Sequence, residues 1–294
     1  MTFTIAPPQA IWELGGRENQ EDNIFPAMGN ATSKNRLFIV CDGMGGHDNG
    51  EVASALACKV LSERLATIID SGCSLSDYEL LAAVDAIYDE MNAATPPNCE
   101  RPMGTTMTLV ALHEGGLTAA HIGDSRIYHI RPKTRQVLFR SKDHSLVQQL
   151  YDEGEITLQE MKTSPQRNII TKALMPTHPT PAYPYPSKRY IPDIYHSTDL
   201  MAGDWLMLCS DGILEELEDE QLVELLADAT TTDKQKREKL VDMTFHNRDN
   251  HSAYLIRLEK VRKEASANQK NDESRTGLRK KMYLCIRKKI KPKS

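Results

Sequence analysis

The 294-residue sequence lacks several features that would place it in a class at once. No apolar run approaches the ~20 residues a helix needs to cross a bilayer. The first ten residues hold no basic cluster and include Pro7-Pro8, so a cleaved secretory leader is not expected. None of the six cysteines forms a C-x-x-C pair or stands at zinc-ligand spacing from a histidine, which argues against the common structural zinc sites. Cys41 and Cys209 sit instead inside apolar strand-like runs, where a reduced thiol behaves as a small hydrophobe. The expected setting is therefore the cytoplasm. There is no internal repeat.

Basic residues are unevenly placed. Lys+Arg total 36 against 41 Asp+Glu, a net charge of −5. Residues 260–294 hold 13 of the basic residues and only 3 of the acidic ones, leaving 23 against 38 in the remainder. A body with that excess of acid is a poor match for nucleic acid, so no nucleic-acid partner is expected.

Short β-branched or apolar runs predict strands at Leu37–Cys41, Thr105–Leu112, Leu117–Ile122, Arg126–Ile130, Val137–Arg140, Trp205–Cys209 and Ala253–Leu258. Turn residues such as His113-Glu114-Gly115-Gly116 favour hairpins. Helical spacing runs through 50–70 and through 77–93, the second introduced by Ser76 and Glu79 as a capping box. Further helices are expected at 219–228 and 233–246. Six prolines between Pro176 and Pro192 mark an irregular loop. Runs of strands with helices in pairs, without strict alternation, give an α+β class with antiparallel sheets. The expected organisation is one body, 1–258, followed by a basic tail, 259–294.

The aspartates carry the chemistry. Asp42 ends the run Phe38–Cys41 and precedes Gly43-Met44-Gly45-Gly46-His47; Asp211 ends Leu206–Ser210 and precedes Gly212; Asp124 follows Gly123 and precedes Ser125-Arg126. Each is a carboxylate at the end of a buried run, beside glycine that lets backbone approach a ligand. Any single Asp-Gly is ordinarily an Asx turn. Together with Asp22 and Asp249, however, these acids would repel one another in one place unless a hard divalent cation, Mg²⁺ or Mn²⁺, neutralised them.

In order, the motifs are Arg17-x-x-x-Glu21-Asp22, Asp42-Gly43-Met44-Gly45-Gly46, Gly104-Thr105-Thr106, Gly123-Asp124-Ser125-Arg126, Asp143-His144-Ser145, Ser210-Asp211-Gly212 and Asp249-Asn250. This set resembles the PP2C (PPM) family of metal-dependent protein serine/threonine phosphatases, its bacterial branch most of all, from about Ala10 to Leu258. The resemblance implies two packed antiparallel sheets flanked by pairs of antiparallel helices. It implies two metal ions, Mn²⁺ or Mg²⁺, with Asp42 bridging both and Gly43 offering its carbonyl. Asp211 and Asp249 would serve the first ion, and Glu21 and Asp22 the second. Asp124 matches the aspartate of a third, weaker ion, and Arg17 matches the arginine that binds substrate phosphate. The implied reaction is hydrolysis of phosphoserine and phosphothreonine in proteins by a metal-bridging hydroxide, opposing a Ser/Thr kinase, by a monomeric enzyme. On that mechanism no protein nucleophile is required. The alternative is an inactive phosphoprotein-binding pseudophosphatase, a class that typically loses metal ligands; here Asp22, Asp42, Asp211 and Asp249 are all present.

Three departures from the family pattern stand out. Gln20 replaces the usual Asn before the Glu-Asp pair. Met44 stands where many eukaryotic members have a proton-donating His, which leaves His47 or water for that task. His251 follows Asp249-Asn250 and is not read as a ligand. The resemblance also implies a flap beside the active site at about 143–175. In the tail, Leu278, Met282, Ile286 and Ile290 are four apart among Lys and Arg, with Cys285 available for lipidation. As a helix this would be a basic amphipathic element for an anionic membrane surface or a partner; a solvated tail is the alternative.

Overall fold

Alternation within five residues decides the layering of the molecule. In Leu37–Cys41 every residue is buried, so this strand is covered on both faces. Leu37, Ile39 and Cys41 pack into one apolar layer and Phe38 and Val40 into another, as the two-residue period of a strand requires. The computed structural model describes residues 1–44, 49–215 and 217–263. In chain order the strands and helices are β1 (Thr2–Ile5), β2 (Gln9–Glu13), β3 (Asn23–Phe25), β4 (Leu37–Cys41), β5 (Gly43–Met44), α1 (Asn49–Asp70), α2 (Asp77–Ala94), β6 (Gly104–Thr105), β7 (Met107–His113), β8 (Gly116–Ile122), β9 (Arg126–Arg131), β10 (Gln136–Arg140), α3 (Leu146–Asp152), α4 (Leu158–Thr163), β11 (Asp193–Ser197), β12 (Trp205–Cys209), α5 (Asp219–Ala227), α6 (Asp233–Met243) and β13 (His251–Arg262).

One sheet runs β11-β8-β7-β4-β3, and the other β10-β9-β12-β13, with β1 and β2 both pairing β13 along its remaining edge. Every pairing is antiparallel. Between the sheets lie Phe38, Val110, Leu206, Leu208, Tyr254 and Ile256. Outside the first sheet, Ala57, Leu61 and Leu65 of α1 and Leu80, Val84 and Ile87 of α2 cover Ile39, Leu109 and Ile122. Outside the second, Leu222, Leu226 and Leu240 of α5 and α6 cover Tyr128, Met207 and Leu255. The expected α+β sandwich of two antiparallel sheets between helix pairs is what the chain forms. The capping box of α2 is present, with Glu79 N–H donating to Ser76 Oγ and Ser76 N–H to Glu79 Oε2.

The differences from expectation have local causes. β1, β2, β3 and β11 were not expected: β3 has three residues, β1 alternates over only four, and β2 and β11 carry exposed or half-buried positions with little apolar alternation. The strand expected over Thr105–Leu112 is broken at Thr106, whose backbone N–H turns to donate to Asp42 O at 2.8 Å. β13 runs to Arg262, four residues past Leu258, because β1 pairs with that extension, Thr2 opposite Arg262 and Phe3 opposite Val261. The Pro176–Pro192 stretch is irregular, as expected. The tail readings, including the apolar stripe and Cys285, lie outside the described residues, as do Gly45, Gly46 and His47.

Leu206 is wholly buried between the sheets. Leu206→Ala should cost about 3 kcal/mol of stability in urea unfolding, whereas Val137→Ala, at the exposed rim of β10, should cost less than about 0.5 kcal/mol.

Candidate metal centre

Asp42 directly follows β4 and Asp211 follows β12 by two residues, and the two sheets bring those strand ends together. The carboxylates of Asp42 and Asp211 face one another closely enough to share a hydrogen bond, with Asp22 and Asp124 both acting on Asp42. Three oxygens of this group, Oδ1 of Asp22, of Asp124 and of Asp211, are buried without a hydrogen-bond partner. Burial pushes the Asp42 and Asp124 carboxyls well above the ordinary carboxylate range, with neighbouring aspartates adding to the shift. Burial likewise raises Asp211, assisted by the charge of Asp249, and raises Asp22 to about 7. Such a set cannot ionise together without a cation, and oxygen-only donors with unused lone pairs suit a hard divalent ion.

The backbone around the acids is shaped for close approach. A Cβ on Gly43 would lie 2.2 Å from Gly50 O and 2.5 Å from Glu21 O, so only glycine fits where β5 crosses the start of α1. Glu21 is held over this crossing by its N–H, which donates to Asn250 Oδ1 at 2.8 Å. Gly123, at φ +108°, turns the chain before Asp124 with Thr106 directly behind it.

Side chains whose motifs were recognised, but whose individual roles were not assigned, hold the acids in place. Ser210 Oγ donates to Asp22 Oδ2 at 2.8 Å. Thr106 Oγ1 accepts from Asp42 N–H at 3.0 Å, and Thr105 Oγ1 donates to Asp42 O at 2.8 Å. Asn250 Nδ2 donates to Leu14 O and Asn19 O, pinning the segment that carries Arg17 and Glu21. Trp12 and Glu215 gave no sequence signal: the Trp12 indole donates to Asp22 O, and Glu215 accepts from the N–H of Asp249. Gln20 accepts from Asp22 N–H at 3.0 Å and donates to Glu13 O at 2.9 Å, so the longer amide spans from its own loop to β2.

Arg17 Nη2 donates to Asp249 Oδ2 at 2.6 Å, and its side chain remains half exposed. That hydrogen bond raises the guanidinium pKa further and keeps its charge fixed. Arg17, Glu21, Asp42, Gly43, Asp124, Asp211 and Asp249 all line one open basin of about 520 Å³. Seven of the eight expected site residues thus line this basin, and the eighth, Asp22, is buried beside Asp42.

Segment 143–175 carries α3 and α4, closes on itself through a bridge from Ser145 to Ile170 and is tied to β6 through one from Thr105 to Leu174. At its root His144 stacks on His121, ring centroids 4.6 Å apart, and its Nε2 lies 3.3 Å from Asp193 Oδ2. These three residues are the one His/carboxylate group among the described residues whose ligating atoms lie near one another. Gly123 N–H donates to His144 Nδ1 at 3.1 Å, so the neutral ring carries its proton on Nε2 and offers no lone pair towards Asp193. The group reads as an anchor for the segment, not as a metal site.

Carboxylates with unused oxygens, gathered where two sheets end and overlooked by one guanidinium, define a divalent-metal centre for an anionic ligand. The chain belongs to the protein phosphatase 2C family, whose model matches residues 17–244. It is 34% identical over 215 residues to the serine/threonine protein phosphatase PstP of Mycobacterium tuberculosis, covering 71% of this chain and 36% of that protein. It is 30% identical over 203 residues to the protein phosphatase PhpP of Streptococcus pneumoniae, covering 67% of this chain and 77% of the relative. The chain thus spans about a third of the length of the mycobacterial relative. Among solved structures, the catalytic domain of PstP in complex with two manganese ions superposes with a TM-score of 0.67 at 28% identity, covering 88% of this chain and 100% of that one.

Burial, with His121 and Lys172 nearby, lowers the His144 pKa to about 4 from its ordinary 6.5. The ring therefore stays neutral in the fold but charges in the unfolded chain below about 6.5. Its contribution to stability should be complete above pH 6.5 and lost as pH falls through 4. Urea midpoints at pH 7 and pH 4.5 should show a smaller acid loss in His144→Asn than in the wild type.

Proposed function

We propose that the protein hydrolyses phosphoserine and phosphothreonine in proteins, using two divalent cations, Mn²⁺ or Mg²⁺. The carrying observation is the convergence of Asp42, Asp124 and Asp211 in a basin overlooked by Arg17, with Asp22 buried beside Asp42 and three of these four aspartates keeping an orphaned buried oxygen. Asp42 would serve both ions, with the Gly43 carbonyl offering a further ligand; Asp211 and Asp249 would hold the first ion, and Glu21 and Asp22 the second. Asp124 would serve a third. The ions supply Lewis-acid neutralisation of phosphoryl oxygens and lower the pKa of water at the site. Names of relatives and a manganese-containing relative structure support this reading.

The chain's own groups then account for the rest of the reaction. Arg17, held by Asp249, presents its free guanidinium edge to the phosphate in a fixed orientation, a charge-assisted contact that strengthens as charge builds on the phosphoryl oxygens. Ser210 holds the Asp22 carboxylate, and Thr105 and Thr106 hold the Asp42 backbone at the basin. Met44 lines the basin but has no proton to give, so the leaving alkoxide draws its proton from water.

The same reading places the protein in the cytoplasm, as a monomer opposing a Ser/Thr kinase. The described cysteines are free thiols, and no helix among the described residues is long and apolar enough to cross a membrane. We assign catalysis to the unit Met1–Arg262, the basic remainder serving a partner or an anionic membrane surface.

p-Nitrophenyl phosphate and a phosphothreonine peptide should both turn over in Mn²⁺ and not in EDTA, and Asp211→Asn should lower kcat at least about 100-fold. Metal-independent turnover, or full activity in Asp211→Asn, contradicts the two-metal reading. A chain ending after Arg262 should retain turnover of the small substrate. One ending after Leu258, which removes the pairing with β1, should lose thermal stability.

A further inference from the structure

A second cavity, of about 230 Å³, opens beside the carboxylate basin and shares Asp124, Asn168, Asp211 and Asp249 with it. One wall belongs to the 143–175 segment, through Val147, Met161, Lys162 and Arg167. The opposite wall is the chain after β12, through Leu214, Glu215, Leu217 and Glu218. Most of its charges are already matched. Both oxygens of Asp143 accept from Arg126, at 2.7 and 2.6 Å. Lys162 reaches across to Glu218, and Glu215 accepts from the N–H groups of Arg248 and Asp249. The remaining carboxylates belong to the metal set. Arg167 is the cation of this lining that has no carboxylate partner among the described residues. It is exposed, and it precedes Asn168, which lines both cavities.

We propose that this cavity is a recognition subsite for an acidic side chain flanking the phosphoresidue of the substrate, with Arg167 as its charge partner. The subsite rests on the phosphatase reading above. Val147, Met161 and Leu217 give apolar surface for the methylenes of such a side chain, and the Arg167 guanidinium receives its carboxylate. The acidic body would repel an acidic peptide at long range, so acceptance of one depends on a local cation next to the reaction centre. Arg167 is a specificity residue in this scheme; it touches a neighbouring residue of the substrate and takes no part in breaking the phosphate ester.

The test compares phosphothreonine peptides carrying Glu, Gln or Lys next to the phosphoresidue, with wild type, Arg167→Ala and Arg167→Glu, all in Mn²⁺. The ratio of kcat/KM between peptides, taken within each variant, cancels any general loss of activity. In the wild type the Glu peptide should exceed the Lys peptide by about fivefold at low ionic strength, and the ratio should shrink in about 0.5 M salt. It should approach unity in Arg167→Ala and invert in Arg167→Glu. Equal rates on all three peptides, or a Glu preference that survives Arg167→Ala, overturn the subsite and leave the phosphatase reading standing. No turnover of any peptide or of p-nitrophenyl phosphate sinks the phosphatase reading and the subsite with it.

Discussion

The mutual repulsion of a few buried carboxylates is the constraint around which the rest of the molecule is arranged. Asp22, Asp42, Asp124 and Asp211 come from four separate points of the chain and are pressed together with too few hydrogen-bond donors to satisfy them. A fold selected only for stability would place such groups in water. Here the opposed sheets, the glycine crossing at Gly43 and the backing hydroxyls of Thr106 and Ser210 all act to keep them in. The strain this creates is what gives a divalent cation its affinity.

The two sheets divide the work. The first carries Asp42 at the end of β4, and Asp22 just before β3, against the broad support of α1 and α2. The second carries Asp211 at the end of β12, and Asp249 just before β13. Neither sheet alone carries all the clustered carboxylates, so the apolar layer between them, from Phe38 to Ile256, fixes the spacing of the site. Arg17 and Asn250 tie the loop between β2 and β3 to the start of β13, which joins the two halves at the rim.

Much of this was legible in the sequence, for physical reasons. β4 and β12 are buried on both faces, so they appear as unbroken apolar runs, and each ends at its aspartate. The cluster of carboxylates was legible through the order of its motifs, since no single Asp-Gly distinguishes a site residue from a turn. What could not be read are elements whose character is set by their neighbours. β11, reading Asp-Ile-Tyr-His-Ser, is a strand because β8 offers it an edge. The break at Thr106 follows from the demand of Asp42 for a partner, and the duty of Glu215 depends on a chain fold that brings Arg248 and Asp249 to it. The Gln20 amide, a departure from the family pattern, fills its place by reaching to β2.

The tie between Glu21 and Asn250 joins positions 229 residues apart. A cation held by acids from both ends of that span, as proposed, would act as a reversible cross-link across almost the entire described body. Closing so long a loop removes a large share of the freedom available to the unfolded chain. Metal supply would then govern how often the backbone opens to a protease, making the protein's lifetime in the cell follow the abundance of the ion it uses.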